Sequence, residues 1–337
     1  MKALLRAAAI CITLPALLAS AGLAAAQEIQ LKASLFPPPS NPLVKAMDKW
    51  AEEMKAKSNG RLNIKVFPAS QMGPPPRQFD LARTGVADIA MLLHGATPGR
   101  FPLTELIHVP GVAKGIYGPS LGVSEIAPQI LASDYPGVKI LNVLILPTVI
   151  ISRSEIANAN SLKGKRVRAA GSVQSDVLEA LGAVPTQVQP GDMNDALDKG
   201  MVEGVSTAFS GIDSYKLDDA GKFIAEGDMG SVTFATVMNL AAYNALPPDL
   251  KKLIDENSGV ANAKLFARML ADDEAHIRDN LIKRGIKFTK ISDDGGIRQA
   301  SDKILDQAIK KASANGADGR KILDELKAAM AKYENER

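Results

Sequence analysis

Two arginines in the stretch SLKGKRVRAA, residues 161–170, have the side chains best suited to binding chemistry in this sequence. Arg166 and Arg168 are two residues apart in a segment typical of a β-strand, so both side chains lie on one face of that strand. Such a pair reaches solvent, pairs with acids or binds an anion. Arg168 stands at the end of the predicted strand, from which a guanidinium group can bind a carboxylate through two hydrogen bonds. This position favours anion binding at Arg168 and a structural role for Arg166.

The common catalytic and metal-binding motifs do not occur in the sequence. The histidines His94, His108 and His276 are not at ligand spacing from one another, and HExxH, GxSxG, GxxxxGK[ST] and GxGxxG are missing. We therefore predict no metal and no cofactor, and interpret DDGG at 293–296 as a turn. An exported hydrolase stays a remote alternative, because a catalytic triad is defined by geometry and not by spacing. His94, at a strand end, is interpreted as a pocket wall or as a structural hydrogen-bonding residue.

The first 26 residues have the three parts of a secretory signal. Lys2 and Arg6 supply positive charge, an apolar run follows, and small residues precede a cleavage site ahead of Gln27. The single cysteine, Cys11, lies inside this segment, so the mature chain is predicted to lack thiol chemistry. We expect a periplasmic protein that is secreted through a cleaved signal peptide, residues 1–26.

Charge and length restrict the class of protein further. Removal of Lys2 and Arg6 from the chain's 40 basic residues leaves a nearly neutral balance against its 37 acidic residues. This balance gives no indication of a nucleic acid or an anionic membrane as partner. The chain has 337 residues, which exceeds the length that one hydrophobic core usually serves, so two lobes are expected.

Short β-type runs alternate with long helical patterns along the rest of the chain, which predicts an α/β fold. We predict a first lobe from residues 27–148 plus about 231–258. The second lobe is predicted from residues 149–230 plus about 259–337, including long C-terminal helices. A long helical pattern interrupted at Gly259 predicts one helix, or two joined there, that brace both lobes.

Five stretches together resemble the solute-binding proteins of tripartite ATP-independent periplasmic (TRAP) transporters, the C4-dicarboxylate-binding type. They are GRLNIKVFPASQMG, LARTGVADIAM, SLKGKRVRAAGS, LGAVPTQVQPGDMNDALDKGMVEG and AAYNALPPDLKKLIDENSG, in order over nearly the whole predicted mature chain. The resemblance implies a two-lobed periplasmic binding protein fold with a long bracing helix, which closes over its ligand. It also implies a monomeric receptor, and not an enzyme, that passes an organic carboxylate to the small and large membrane permease subunits.

The resemblance also implies a ligand class. In this family an arginine of the LKGxKxR segment clamps the substrate carboxylate, and by position Arg168 takes that role. Relatives that bind sialic acid or C4-dicarboxylates carry a strand like DGQENP, whereas Thr207 and Ala208 stand here in place of its asparagine and proline. LFPPPSN and HGATPGRFPLTE resemble instead a branch that binds small, often aromatic monocarboxylates such as benzoates. That branch has an aromatic residue and an acid after the strand, where this chain has Phe209 and Ser210.

The predicted ligand is therefore a benzoate-like monocarboxylate, and a dicarboxylate, a keto acid or a sugar acid is the alternative. Candidate contacts are loop residues near predicted strand ends: phenylalanines that cover a flat ligand or pack in the lobe cores, and hydroxyl groups that bond it. Arg153 is interpreted as a second charge contact or as a solvated linker residue. The full predicted set of substrate-binding residues is Arg168, Phe209, Thr207, Ser206, Phe36, His94, Thr97, Phe101, Gln71 and Arg153.

Overall fold

A computed structural model describes residues 28–291, 296–314 and 316–336. The predicted signal peptide with Cys11, and most of the predicted turn at 293–296, lie outside these residues. Within the described ranges, no helix is long and apolar enough to cross a membrane.

Strands and helices alternate along the described chain. The strands are β1 (Ile29–Ser34), β2 (Leu62–Phe67), β3 (Ile89–Leu93), β4 (Val138–Pro147), β5 (Val149–Ser152), β6 (Arg166–Ala169), β7 (Val184–Gln187), β8 (Gly204–Thr207), β9 (Phe223–Glu226), β10 (Ser231–Asn239) and β11 (Lys287–Lys290). The α-helices are α1 (Pro42–Lys57), α2 (Gln78–Arg83), α3 (Tyr117–Ile130), α4 (Ser172–Ala180), α5 (Met193–Asp198), α6 (Phe209–Ser214), α7 (Leu240–Ala245), α8 (Pro248–Glu256), α9 (Val260–Lys283), α10 (Gly296–Ser313) and α11 (Gly319–Lys332).

The strands form two separate sheets, with the orders β2-β1-β3-β10-β4 and β11-β9-β5-β8-β6-β7. Each sheet contains one strand that is antiparallel to both its neighbours, β10 in the first and β5 in the second. We call the first sheet with α1, α2 and α3 the first lobe, and the second sheet with α4, α5 and α6 the second lobe. The two-lobed α/β fold predicted from the sequence is confirmed.

The first helix shows how local sequence positions a residue of the cleft. Asn41 caps α1, because its side-chain oxygen accepts a hydrogen bond from the Leu43 amide at 3.0 Å, and Pro42 follows as the first helical residue. The apolar face of α1 buries Met47 and Trp50 in the core of the first lobe. The cap therefore holds Asn41 at the edge of that lobe.

The long helical pattern forms two helices, α8 and α9, that meet at a glycine. Gly259 has a φ of +58°, a left-handed conformation that favours glycine and ends the first helix. The first half of α9 buries Phe266 in the core of the first lobe, and its second half buries Ile277 in the core of the second. Helix α9 thus braces both lobes.

The C-terminal helices differ from the predicted division of the chain, which assigned residues 259–337 to the second lobe. Helix α10 packs on α4 of the second lobe, whereas α11 packs on α3 of the first. Close packing of α11 depends on Gly122 of α3, where a Cβ would overlap the carbonyl oxygen of Ala329. The C-terminal segment therefore covers both lobes, because each amphipathic helix buries its apolar face against whichever lobe offers a matching surface.

Two short crossovers connect the lobes besides α9. Thr148 is the single residue between β4 and β5, and residues 227–230 join β9 to β10. The Thr148 amide donates to the carbonyl oxygen of Gly230 at 3.1 Å, which holds the two crossovers side by side. Rotation of one lobe against the other is expected to centre on this narrow region.

The lobes approach each other closely at two glycines that follow β3 and β6. A Cβ at Gly95 would overlap the carbonyl oxygen of Ala170, and a Cβ at Gly171 would lie 2.8 Å from the Cα of Gly95. Gly171 also has a φ of +134°, which other residues rarely adopt. The closed arrangement of the lobes therefore requires glycine on both sides of this contact.

We expect Gly95→Ala to hold the lobes apart. Rotation about the crossovers relieves the overlap, so the unfolding free energy should change by less than about 2 kcal/mol. Small-angle X-ray scattering should give a larger radius of gyration than for the wild-type chain. Gly191→Ala is the control, because a Cβ at Gly191 meets nothing within 4 Å. An unchanged radius of gyration with a large loss of stability would show that the residue is needed for folding and not for closure.

Candidate ligand-binding site

Arg168 lies near the end of β6, with only 4% of its surface exposed. Its Nε donates to the carbonyl oxygen of Val188 at 3.1 Å, and its Nη1 donates to that of Ser206 at 2.8 Å. Burial lowers the pKa of the guanidinium to about 10, with Tyr215 acting in the opposite direction, so the group is charged at neutral pH. Two backbone carbonyls thus hold a buried cation in a fixed orientation.

This cation has no counter-charge among the described residues. No carboxylate forms an ion pair with Arg168, and no protein group accepts a hydrogen bond from its Nη2 in that part of the chain. An unpaired charge removed from water is costly, and a carboxylate that accepts hydrogen bonds from it offsets that cost. Arg168 therefore has the properties of an anion-binding group.

Arg166, the other arginine of the pair, has a different environment. Its side chain is exposed, and Nη2 donates to the carbonyl oxygen of Gly200 at 3.0 Å. Its backbone amide donates to the carboxylate of Glu203 at 3.1 Å. These contacts join β6 to the segment that precedes β8, in keeping with a structural role.

A cavity lies between the lobes and includes Arg168 in its wall, with about 470 Å³ of empty space when the part open to solvent is included. Residues from the first lobe are Phe36, Pro37, Asn41, Leu43, Leu93, Val232 and Phe234. Residues from the second lobe are Arg168, Ala170, Pro190, Met193, Thr207, Ala208, Ser210, Gly211 and Tyr215.

The two lobes contribute unlike surfaces to this cavity. The first lobe supplies an aromatic wall, in which the rings of Phe36 and Phe234 stack with centroids 6.3 Å apart and planes 12° from parallel. Its one polar lining residue, Asn41, is already engaged, because its amide nitrogen donates to the Ser214 hydroxyl of the opposite lobe at 3.0 Å. The polar groups facing a ligand therefore come from the second lobe.

Thr207, Ser210 and Tyr215 supply the hydroxyl groups on that polar side. A Cβ at Gly211 would overlap the Thr207 hydroxyl oxygen, so the glycine leaves room for the threonine side chain. Burial raises the pKa of the Tyr215 phenol to about 12, with the charge of Arg168 acting in the opposite direction, so the phenol keeps its proton at neutral pH. The phenol is thus a hydrogen-bond donor beside the guanidinium.

A carboxylate of the long helix orients this polar side. Glu274 of α9 accepts hydrogen bonds from the amides of Phe209 and Ser210, at 2.8 and 2.7 Å, and so caps α6. The burial of Glu274 raises its pKa, and its hydrogen bonds to Ser210 and Phe209 oppose that shift. Helix α6 carries Tyr215 at its end, so the brace helix holds the phenol in place.

The structure brings Arg168, Phe36 and Thr207 of the predicted set together in the cavity wall. Ser206 contributes its carbonyl oxygen to Arg168, while its hydroxyl donates to the side-chain oxygen of Gln174 at 3.1 Å. Phe209 stands two residues after Thr207, yet its ring centroid lies 6.1 Å from that of Phe288 and it does not line the cavity.

His94 and Phe101 pack in the core of the first lobe and not in the cavity wall. The His94 ring bonds the Thr233 carbonyl oxygen at 2.9 Å and the Tyr135 hydroxyl at 2.6 Å, and the Phe101 ring lies edge-on to it at 4.8 Å. Leu93, the last residue of β3, lines the cavity, but the His94 side chain that follows it packs in the core of the first lobe. The structural interpretation of His94 fits this geometry better than the pocket-wall interpretation.

The remaining predicted contacts also lie outside the cavity lining. Thr97 is half-buried in the loop after β3, and Gln71 is exposed in the loop after β2. Arg153 is exposed next to Gly200, at the end of β5 opposite the cleft. A direct role in ligand binding stays a prediction for these three residues, without geometric support.

Sequence reasoning did not identify Tyr215, Phe234 and Asn41 as cavity residues. A signal for Phe234 was present, because Val232 and Phe234 alternate along β10 with residues that face the core. Tyr215 lies one helix beyond its strand, and Asn41 looks like an ordinary helix cap. Their convergence depends on tertiary packing.

The described residues contain no group of three or more His, Cys, Asp or Glu side chains that could hold a metal ion. The arrangement instead offers one cation, three hydroxyl groups and an aromatic wall. Such a site can bind and desolvate a carboxylate that carries an apolar body.

Comparison with known proteins identifies a matching family and similar solved structures. The model of a family described as bacterial extracellular solute-binding proteins, family 7, matches residues 33–314. A TRAP solute-binding protein from an unidentified marine microbe, in complex with 3-hydroxybenzoate, is 30% identical, with a TM-score of 0.86, over 92% of this chain and 100% of that chain.

Two further solved structures have nearly the same fold. A TRAP solute-binding protein from Rhodoferax ferrireducens with copurified benzoate is 27% identical, with a TM-score of 0.85, over 91% of this chain and 98% of that chain. A TRAP periplasmic solute-binding protein from Bordetella bronchiseptica with bound (R)- and (S)-mandelate is 25% identical, with a TM-score of 0.84, over 90% and 99%.

The environment of His94 predicts a pH dependence of stability. Burial lowers its pKa to about 4 from 6.5, and the hydrogen bond to Thr233 opposes the shift. The unfolded chain therefore binds a proton between these values that the folded chain does not. Relative to His94→Gln, the wild-type chain should keep its full stability above pH 6.5 and lose about 3 kcal/mol as the pH falls to 4.

Urea unfolding at a series of pH values measures this difference. His276→Gln, at an exposed position of α9, is the matched control. A difference between wild type and His94→Gln that does not change with pH would show that His94 is not held neutral in the folded protein.

Proposed function

This chain belongs to family 7 of the bacterial extracellular solute-binding proteins and is a receptor of the TRAP type, and from this premise we propose that it captures a small aromatic monocarboxylate. The observation that carries the proposal is the buried Arg168 guanidinium, which has no counter-charge among the described residues and borders a largely apolar cavity. The carboxylate bonds Arg168, and the ring lies against the first lobe.

The number of charges in the cavity favours a monocarboxylate. Arg168 is the single charged residue among those that line it. The second carboxylate of a dicarboxylate would meet Leu93, Val232 or Phe234, where no donor offsets the loss of hydration. A sugar acid meets the same difficulty, because several of its hydroxyl groups would face this apolar wall.

The shape of the apolar wall favours an aromatic ring over a branched or keto acid. The nearly parallel rings of Phe36 and Phe234 present flat surface, against which a planar ligand gains contact area without losing internal freedom. The related receptors with benzoate, 3-hydroxybenzoate and mandelate support the same ligand class.

The rest of the role follows from the family and from closure of the lobes. We propose that the protein acts in the periplasm after removal of residues 1–26, as a monomer, and performs no catalysis. Ligand binding closes the lobes, which removes water from the carboxylate and strengthens its pairing with Arg168. The closed complex then delivers the ligand to the TRAP membrane subunits.

Thermal unfolding against a ligand panel tests the proposed class. Benzoate, 3-hydroxybenzoate and mandelate should each raise the Tm by several degrees, since a ligand at 100 times its Kd adds about 2.7 kcal/mol to the unfolding free energy. Succinate, a branched keto acid and galacturonate should have little effect. A shift with succinate or galacturonate alone would exclude the aromatic assignment and keep the receptor role.

Replacement of Arg168 by methionine should abolish capture. Loss of one partner of a buried, hydrogen-bonded charge pair costs about 2–5 kcal/mol, so the Kd for benzoate should rise at least thirtyfold. Isothermal titration calorimetry measures this change, and circular dichroism confirms that the variant is folded. Arg166→Met is the control and should bind as the wild type does, because Arg166 is exposed and bonds Gly200. Equal losses in both variants would argue against a clamp at Arg168.

Tyr215→Phe should weaken binding about tenfold, because a hydrogen bond to a charged group contributes about 1.5–3 kcal/mol. If the phenol bonds the carboxylate, the loss should be equal for benzoate and 3-hydroxybenzoate. The control is Tyr243→Phe, since the Tyr243 hydroxyl bonds Asp255 at the surface. An unchanged Kd for both ligands would remove Tyr215 from the site.

A further inference from the structure

One buried side-chain amide joins a crossover between the lobes to the strands that hold Arg168, the proposed carboxylate clamp. Gln174 lies in the first turn of α4 with 3% of its surface exposed, and it does not line the cavity. We propose that Gln174 is a positioning residue that couples lobe rotation at Thr148 to the orientation of Arg168. The inference rests on the proposed receptor function and deepens it.

On the clamp side, the side-chain oxygen of Gln174 accepts two hydrogen bonds. The Ala170 amide donates at 2.9 Å, and the Ser206 hydroxyl donates at 3.1 Å. Ala170 follows β6, two residues beyond Arg168, and the Ser206 carbonyl oxygen accepts the 2.8 Å bond from Arg168 Nη1. The amide oxygen therefore binds both strands that set the position of the guanidinium.

On the crossover side, the side-chain nitrogen of Gln174 donates to the Thr148 hydroxyl oxygen at 2.9 Å. Thr148 in turn donates from its hydroxyl, at 3.2 Å, and from its amide, at 3.1 Å, to the carbonyl oxygen of Gly230. Thr148 and Gly230 belong to the two different crossovers. A single side chain thus links both crossovers to the clamp.

Glutamine has the hydrogen-bonding groups that this position requires. Its carbonyl oxygen accepts two bonds while its amide nitrogen donates a third, and methionine of similar length supplies none of them. A glutamate would face the Thr148 oxygen with an acceptor while the Thr148 hydroxyl proton already bonds Gly230. Substitution therefore breaks the link without changing any residue of the cavity wall.

The link gives closure a defined geometry. As the first lobe rotates about the crossovers, Gln174 keeps Thr148 fixed relative to the ends of β6 and β8. The aromatic wall of Phe36 and Phe234 then arrives in register with Arg168. Without the link, the guanidinium keeps its carbonyl partners, but the lobes approach over a wider range of orientations, and the closed complex releases ligand faster.

The test cuts the chain of hydrogen bonds at two points in the full-length protein. Gln174→Met removes all three hydrogen bonds of the Gln174 side chain, which we call the relay. Thr148→Val removes the hydroxyl group that accepts from Gln174, with little change of side-chain shape, and the double variant combines both changes. Gln187→Met is the matched control, because Gln187 of the same lobe bonds Ser175 of α4 and makes no contact with a crossover. Binding of benzoate is measured by calorimetry and stopped-flow fluorescence.

Lobe orientation is measured independently of ligand. In a Cys11→Ser background, which has no other cysteine, Lys49→Cys and Asp198→Cys place spin labels at exposed positions of α1 and α5. Pulsed electron resonance then reports the distribution of distances between the lobes. This readout does not respond to a purely local loss of stability.

Each single variant should raise the Kd for benzoate about three- to tenfold through faster dissociation, and should broaden the distance distribution of the ligand-free protein. The Kd of the double variant should be no higher than that of the weaker-binding single variant, because both substitutions interrupt the same chain of hydrogen bonds. Gln187→Met should match the wild type in both measurements.

Two results would overturn the inference. The first is a Gln174→Met variant with the benzoate Kd and the spin-label distances of the wild type. The second is a double variant in which the two single-variant increases in Kd multiply. A wild-type chain that does not bind benzoate would contradict the proposed ligand and leave the relay testable, because the ligand-free distances still report it. An unbroadened distribution in Gln174→Met would then contradict the relay on its own.

Discussion

The buried positive charge of Arg168 is the interaction on which the rest of the structure depends. Backbone carbonyls of Val188 and Ser206 accept hydrogen bonds from Nε and Nη1 of the guanidinium and leave its Nη2 without a protein partner among the described residues. Carbonyl oxygens orient the group but do not neutralise it. Burial of such a charge is tolerated where an anion completes it, so the proposed function couples carboxylate binding to lobe closure.

The two lobes contribute different groups to the cavity. The second lobe holds the charge and the hydroxyl groups, on strands tied together by Gln174 and on a helix capped by Glu274. The first lobe supplies apolar surface that gains contacts when it closes. The close approach of Gly95 to Gly171 lets the lobes meet beside the clamp, and helix α9 keeps them joined while they rotate. We infer that charge pairing selects the carboxylate of the ligand and that burial of apolar surface selects the rest of it.

The sequence predicts much of this fold because its patterns are local. Hydrophobic periodicity gave the alternation of strands and helices, and a break at Gly259 marked the joint between α8 and α9. Arg168 was identifiable from its strand end and from the resemblance of its segment to the LKGxKxR motif, and Thr207 because it stands where relatives carry an asparagine. His94 and Phe101 also follow a strand, yet their side chains pack in the core of the first lobe, which the strand pattern does not reveal. The placement of α11 on the first lobe likewise depends on which surface is left uncovered.

The central claim is that a single carboxylate bonds Arg168 while the ring faces the first lobe. A crystal structure with 4-bromobenzoate tests it most directly, because anomalous scattering from bromine fixes the direction of the ligand in the cavity. Carboxylate oxygens should lie about 2.7–2.9 Å from Arg168 Nη2, with the bromine toward Phe36 and Phe234. A reversed ligand, with bromine at Arg168, or a ligand bound outside this cavity would contradict it.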